Sequence, residues 1–212
     1  MVDRNWKLSR KQNDLHTRAA MIRIIREFFT DREYLEVETP SRIPAPAPEC
    51  NIDAISSDGW YLHTSPELCM KRLLAAGYPR IFQIARCFRS GERGSLHISE
   101  FTLLEWYRSG IGYCTMMEEC EELIIHIARS LGHEGAVEYR GEKIDIRSPW
   151  ERIAVRDAFS RYASVSLEDA LRSNRFDELM VEEIEPRFKE LRRPVFLYDY
   201  PVSLGALARV KK

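Results

Sequence analysis

The 212-residue chain has no CxxC pair, no Cys/His ligand spacing, no long apolar run and no excess of basic residues. Its five cysteines, Cys50, Cys69, Cys87, Cys114 and Cys120, are odd in number and scattered. That pattern argues against a disulfide frame or a zinc site, and for reduced thiols in a cytoplasmic protein. A formal net charge of -1 at pH 7 argues against general nucleic-acid or membrane-surface binding, which draws on a surplus of Lys and Arg. Any anion held by the chain must therefore be met locally. The opening residues MVDRNWKLSRKQNDLHTR carry no apolar signal core, and no segment has the length and apolarity to cross a bilayer, so a cytosolic protein is expected. Repeats, low-complexity tracts and Gly/Ser linkers are missing too. Composition thus draws no internal boundary, and one α+β domain is the expectation.

What is present suffices for a core, at 44% hydrophobic and 31% charged residues. Apolar residues recur at helical spacing from Asp14 to Phe29, which predicts an amphipathic helix. YLEVETPSRIPAPAPE then reads as a short strand ended by Pro40, with a proline-rich loop after it. In HTSPELCMKRLLAAGYP, Ser65 suits a cap, Pro66 the first helical position and Gly77 a left-handed close. RIFQIARCFR and EFTLLEWYR read as the two strands of a hairpin joined by the long loop Ser90–Ser99. Thr115 and Glu118 suggest a capping box for a helix that ends before Gly132. VEYRGEKIDI predicts a hairpin turning near Gly141. SPWERIAVRDAFSRYA, SLEDALRS and RFDELMVEEIEPRFKEL are expected to be helices, and PVFLYDY a last strand.

The hairpin FRSGERGSLHISEFTLLEWYR mixes arginines, glutamates and a histidine with aromatics. Strand alternation puts Phe101, Leu103, Glu105 and Tyr107 on one face, with Gln83, Ala85, Cys87 and Arg89 sharing a face of the partner strand. Polar and apolar residues mix there instead of separating into core and solvent sides. Spacing alone leaves two readings open: the floor of a pocket, whose polar groups need ligands or partners, or an exposed face laced with cross-strand ion pairs.

The arginine-bearing strand, long loop and returning strand resemble motif 2 of the class II aminoacyl-tRNA synthetases. More closely, TSPELCMKRLLAAG, FQIARCFRSGERG and HISEFTLLEWYR resemble the lysyl-tRNA synthetase paralogues called PoxA or GenX, the elongation factor P (R)-β-lysine ligases. REYLEVETPSRIP is similar to motif 1, and RRPVFLYDYPVSLGALA to the strand after that family's helical insertion. The resemblance implies the catalytic core of a class II synthetase, an antiparallel β-sheet flanked by helices, dimerising through motif 1 and spanning residues 1–212. It implies ATP, with Mg2+, activating lysine or (R)-β-lysine as the acyl-adenylate, and transfer to a lysine of elongation factor P. A start close to the motif 1 helix, without an N-terminal anticodon-binding barrel, agrees with that branch.

By the same resemblance, Arg89 is the catalytic, α-phosphate-binding arginine, suited to charge that builds on phosphate. Phe101 matches the adenine-stacking aromatic, with an ordinary core phenylalanine as the lesser reading. His97 matches a position near the terminal phosphates. Ser65, Pro66, Glu67 and Tyr107 match the substrate pocket, where an amine needs carboxylates. Glu105 is assigned to nucleotide binding and shares the pocket's location. Glu67 by itself would be an ordinary first-turn glutamate favoured by the helix dipole.

The chain departs from the family pattern in places. Gly91 stands where an ATP-contacting glutamate is expected, so Glu92 takes that role after a one-residue loop shift. Ile98 and Ser99 replace asparagine and proline. The glutamate-rich lysine-binding segment and motif 3 do not occur in these 212 residues. Two other functions are therefore carried forward: the catalytic part of a lysyl-tRNA synthetase, which would act on lysine tRNA, and a noncatalytic paralogue acting as a partner or regulator.

Overall fold

The structure, a computed structural model, describes residues 6–49, 51–205 and 208–210. Cys50, the first five residues, and residues 206–207 and 211–212 of the GALARVKK end lie outside the described residues. Among those described, no helix is long and apolar enough to cross a membrane. The chain divides into two compact units, residues 22–113 and residues 1–21 with 114–212. Two helices begin it, α1 (Trp6–Ser9) and α2 (Gln12–Thr30).

In the 22–113 unit, the second half of α2 buries Ile24, Ile25, Phe28 and Phe29, one apolar stripe at helical spacing. β1 (Leu35–Glu36) follows and stops four residues short of Pro40, which was expected to end it. The chain does not stay irregular, however. β2 (Arg42–Ile43) pairs antiparallel with β4 (Trp60–Leu62), which also pairs with β3 (Ile55–Ser57). Arg42 and Ile43 sit between prolines and keep free N–H groups, so a two-residue pairing survives there. The β3–β4 turn uses Asp58 and Gly59, with φ of 48° and 75°, the left-handed pair that two-residue hairpins favour.

Helix α3 (Glu67–Ala75) closes as predicted: Gly77 has φ of 98°, its N–H donates to Leu74 O at 3.0 Å, and the Tyr78 N–H donates to Leu73 O at 3.2 Å. β5 (Arg80–Phe88) lies parallel to β1 and antiparallel to β6 (Glu100–Arg108). Under this sheet Phe29 and Phe82, both fully buried, stack with centroids 4.8 Å apart, and Tyr34 and Trp106 pack on Phe29 at 5.1 and 5.5 Å.

In the other unit, α4 (Tyr113–Ser130) starts two residues before Thr115, so Thr115 lies inside the helix and the expected capping box is not formed. Gly132 follows its end with φ of 88°. Glu119 and Glu121 are buried. The Glu121 carboxylate accepts the Trp150 backbone N–H at 3.1 Å, which compensates its desolvation. β7 (Ala136–Tyr139) and β8 (Glu142–Asp145) form the predicted hairpin.

The expected helix at SPWERIA is instead β9 (Glu151–Ala154), and α5 (Val155–Tyr162) begins only after it. β9 pairs in parallel with β10 (Val195–Tyr198), a non-local partner that local periodicity cannot show. Ser166 caps α6 (Leu167–Arg172), accepting the Asp169 N–H at 3.1 Å. The last predicted helix is broken into α7 (Phe176–Leu179), a π turn (Met180–Ile184) and α8 (Glu185–Glu190). Pro186, which lacks an N–H and crowds the carbonyl four residues back, accounts for the interruption. Ile153, Phe159, Leu167, Phe176, Leu179 and Ile184 build this unit's core.

Replacing Phe82 by Ala should cost about 3–5 kcal/mol, because it removes a fully buried ring from the aromatic stack. Denaturant melts of the wild type and Phe82→Ala check this.

Candidate functional site

The β5–β6 register pairs Cys87 with Phe101, Ala85 with Leu103, Gln83 with Glu105 and Ile81 with Tyr107. Directly paired residues share a sheet face. The expected mixed face therefore exists, and Phe101, Glu105 and Tyr107 on it are half-buried. Gln83 and Cys87 beneath are buried, and the Thr39 hydroxyl donates to Gln83 Oε1 at 3.0 Å. The arrangement is a polar floor rather than a solvated ladder of salt bridges; the ion pair Arg86–Glu100, at 3.7 Å, lies at the outer end.

The start of α3 meets this floor. Ser65 Oγ accepts the Glu67 backbone N–H at 3.1 Å and donates to Glu105 Oε2 at 2.6 Å. Pro66 stands just ahead of the helix, its carbonyl accepting the Met70 N–H. The Tyr107 hydroxyl donates to Glu105 Oε1 at 2.6 Å. Both carboxylate oxygens of Glu105 are thus engaged by hydroxyls from two separate parts of the chain. Hydrogen bonds to a charged acceptor are worth about 1.5–3 kcal/mol each, enough to fix this geometry. Burial, the hydrogen bond to Glu105, and the charges of Glu105 and Glu67 all push the Tyr107 phenol well above its ordinary range. Glu67 in turn accepts from Lys71 Nζ at 2.6 Å.

The segment just before Ser65 is tied to β5. The His63 N–H donates to Ser41 O at 2.9 Å, its carbonyl accepts the Phe88 N–H at 3.0 Å, and its fully buried ring places Nε2 2.6 Å from Arg86 O.

Arg89 follows β5 directly and extends the ladder by one bond, its N–H donating to Ser99 O at 2.9 Å. Its guanidinium carbon lies 4.9 Å from the Phe101 ring centroid, and a nitrogen lies 3.7 Å from the Glu92 carboxylate. Arg89 Nε is buried without a hydrogen-bond partner. A guanidinium short of an acceptor, set against an aromatic face, fits a nucleotide phosphate and base. Glu92 reaches Arg89 because the Ser99 hydroxyl donates to Glu92 O at 3.1 Å and pins the loop. His97 is exposed, with its carbonyl taken by the Gly94 N–H, so the loop carries it apart from the strand face.

The structure thus brings Ser65, Glu67, Glu105 and Tyr107 together, and separately Arg89, Glu92 and Phe101 on the same hairpin. Sequence reasoning placed Cys87 on this face and missed Lys71 and His63 as its neighbours. The four-residue spacing of Glu67 and Lys71 was the available signal for one of them. Burial first, then the Glu105 charge, opposed by Arg89, push the Cys87 thiol up to about 11.

A sequence model described as tRNA synthetases class II (D, K and N) matches residues 4–212. The chain belongs to this family. Among its relatives, the elongation factor P–(R)-β-lysine ligase of Hamiltonella defensa is 36% identical, over 97% of this chain and 68% of its own length. The corresponding ligase of Vibrio cholerae is 33% identical over 99% of this chain and 69% of its own. The lysine–tRNA ligase of Moorella thermoacetica is 32% identical over 92% of this chain. The chain spans only 45% of that last protein. The family match takes in the β5–β6 hairpin that carries the geometry above.

In the folded protein at pH 8, iodoacetamide should label exposed Cys114 and spare Cys87 until unfolding, as read by mass spectrometry. Because folding raises the Cys87 pKa, its contribution to stability is intact below pH 9 and is lost as the pH rises from 9 towards 11. A Cys87→Ala variant should show a flatter loss of stability over that window.

Proposed function

We propose that the chain is an ATP-dependent ligase that activates lysine or (R)-β-lysine as the acyl-adenylate and passes the acyl group to a lysine of elongation factor P. The observation that carries this reading is the juxtaposition on one hairpin of an amine-attracting group, Glu105 held by Ser65 and Tyr107, with a phosphate-attracting one, Arg89 over Phe101. Relatives bearing that ligase name match nearly the whole of this chain, which supports the same reading.

In this reading Arg89 holds the α-phosphate and offsets the charge that grows as the substrate carboxylate attacks, while Phe101 stacks the adenine. Glu92 and His97 lie on the nucleotide's loop, and Glu105 joins the nucleotide and amine sides. Ser65, Pro66, Glu67 and Tyr107 position the amino acid so that its carboxylate stays free. Magnesium arrives with the nucleotide; among the described residues no group of three or more His, Cys, Asp or Glu side chains is placed to hold a metal. Residues 1–212 as one catalytic domain, a homodimer and a cytoplasmic location belong to the same reading.

A second reading, the catalytic part of a lysyl-tRNA synthetase, is favoured by the lysine–tRNA ligase at 32% identity over 92% of this chain. Incubating the full gene product with ATP, radiolabelled lysine or (R)-β-lysine, and either elongation factor P or lysine tRNA separates the two. Label on elongation factor P is expected; label on tRNA alone overturns the ligase reading.

Arg89→Ala should lower ATP–pyrophosphate exchange by at least about 100-fold, on the scale of removing one charge-stabilising donor. Arg89→Lys should fail to restore it, since a point charge cannot reproduce the planar fork.

A further inference from the structure

Glu67 reaches the site already neutralised. Lys71, one turn along α3, sets its ammonium 2.6 Å from Glu67 Oε1. The Glu67 side chain is 23% exposed and that of Lys71 37%. The pair is therefore half sheltered and half wet, at the start of the helix that follows Ser65. Glu67 also follows two residues after Ser65, whose hydroxyl ties the start of α3 to Glu105. Its backbone is fixed by the bond to Ser65 Oγ, so the carboxylate cannot leave the site by unwinding the first helical turn.

We propose that Lys71 is a resident ammonium on Glu67, displaced by an amino group of the incoming substrate, and that it sets the affinity for that substrate. The inference rests on the ligase reading above. Lys71 and a substrate amine are the same kind of ligand: a compact cation with three N–H donors and no acceptor. Both cannot crowd the same carboxylate oxygen without like-charge repulsion. Lys71 hangs on a flexible stem beside solvent, so it can yield, and partly exposed pairs at this spacing are weak enough to be exchanged. Glu105 is handled differently. Its partners are two neutral hydroxyls, which orient the carboxylate without cancelling its charge. The site therefore offers an incoming diamine one charged carboxylate outright and a second only by exchange.

The test compares the wild type with Lys71→Met and Lys71→Arg, by lysine titration calorimetry and by the KM values for lysine and ATP in pyrophosphate exchange. Lys71→Met should bind lysine roughly two- to fivefold more tightly, the range set by the strength of such pairs. Its KM for ATP and its melting temperature should stay at the wild-type values, and Lys71→Arg, which keeps the charge beside Glu67, should bind lysine more weakly than Lys71→Met does. The gap between wild type and Lys71→Met should narrow at high salt, where the internal pair is screened. Unchanged or weaker lysine binding by Lys71→Met, or a parallel shift in the KM for ATP, overturns the proposal alone. A wild type that neither binds nor activates lysine or (R)-β-lysine overturns the ligase reading, and this proposal with it.

Discussion

The site depends on one carboxylate. Glu105 sits mid-strand on β6, yet its two oxygens are held by Ser65 from the start of α3 and by Tyr107 two residues along its own strand. The bond from Ser65 joins segments 40 residues apart in sequence. Both bonds work only because β5 and β6 pair in one register. A slip of a single residue would turn Glu105 and Tyr107 to the opposite face and leave Ser65 without its acceptor. The aromatic stack of Phe29, Phe82 and Trp106 on the other side resists that slip, since the same slip would move Trp106 out of a packed interior. Fold stability and site geometry are thus two consequences of one pairing.

Much of this was legible in the sequence, where local rules dominate. The hairpin strands end within a residue of their expected limits, because period-two alternation and a loop of ten mostly polar residues leave little freedom. The close of α3 at Gly77 was legible for the same reason: a left-handed residue must follow the helix, and glycine adopts that conformation without strain. The shared face of Glu105 and Tyr107 follows from counting by twos.

What escaped was decided by distant partners. β9 was read as helix because its apolar residues fit either period, and only β10, more than forty residues on, supplies the pairing that makes it a strand. The burial of Glu121 was equally hidden, since its compensation comes from the Trp150 backbone and not from a side chain that spacing could suggest. In the site, the bond from Ser65 to Glu105 needed tertiary structure to be seen. The pairing of Glu92 with Arg89 depended on how the loop around Gly91 turns.

The hydroxyls on Glu105 also give the floor a direction. Ser65 and Tyr107 both spend their only proton on the carboxylate, so towards a visitor they present lone pairs and nothing to donate. A surface built this way welcomes a group that only gives protons. An alcohol or amide of the same size, whose own oxygen also wants a proton, would find half of its bonding capacity unanswered, so the floor sorts visitors by chemical polarity before shape is consulted.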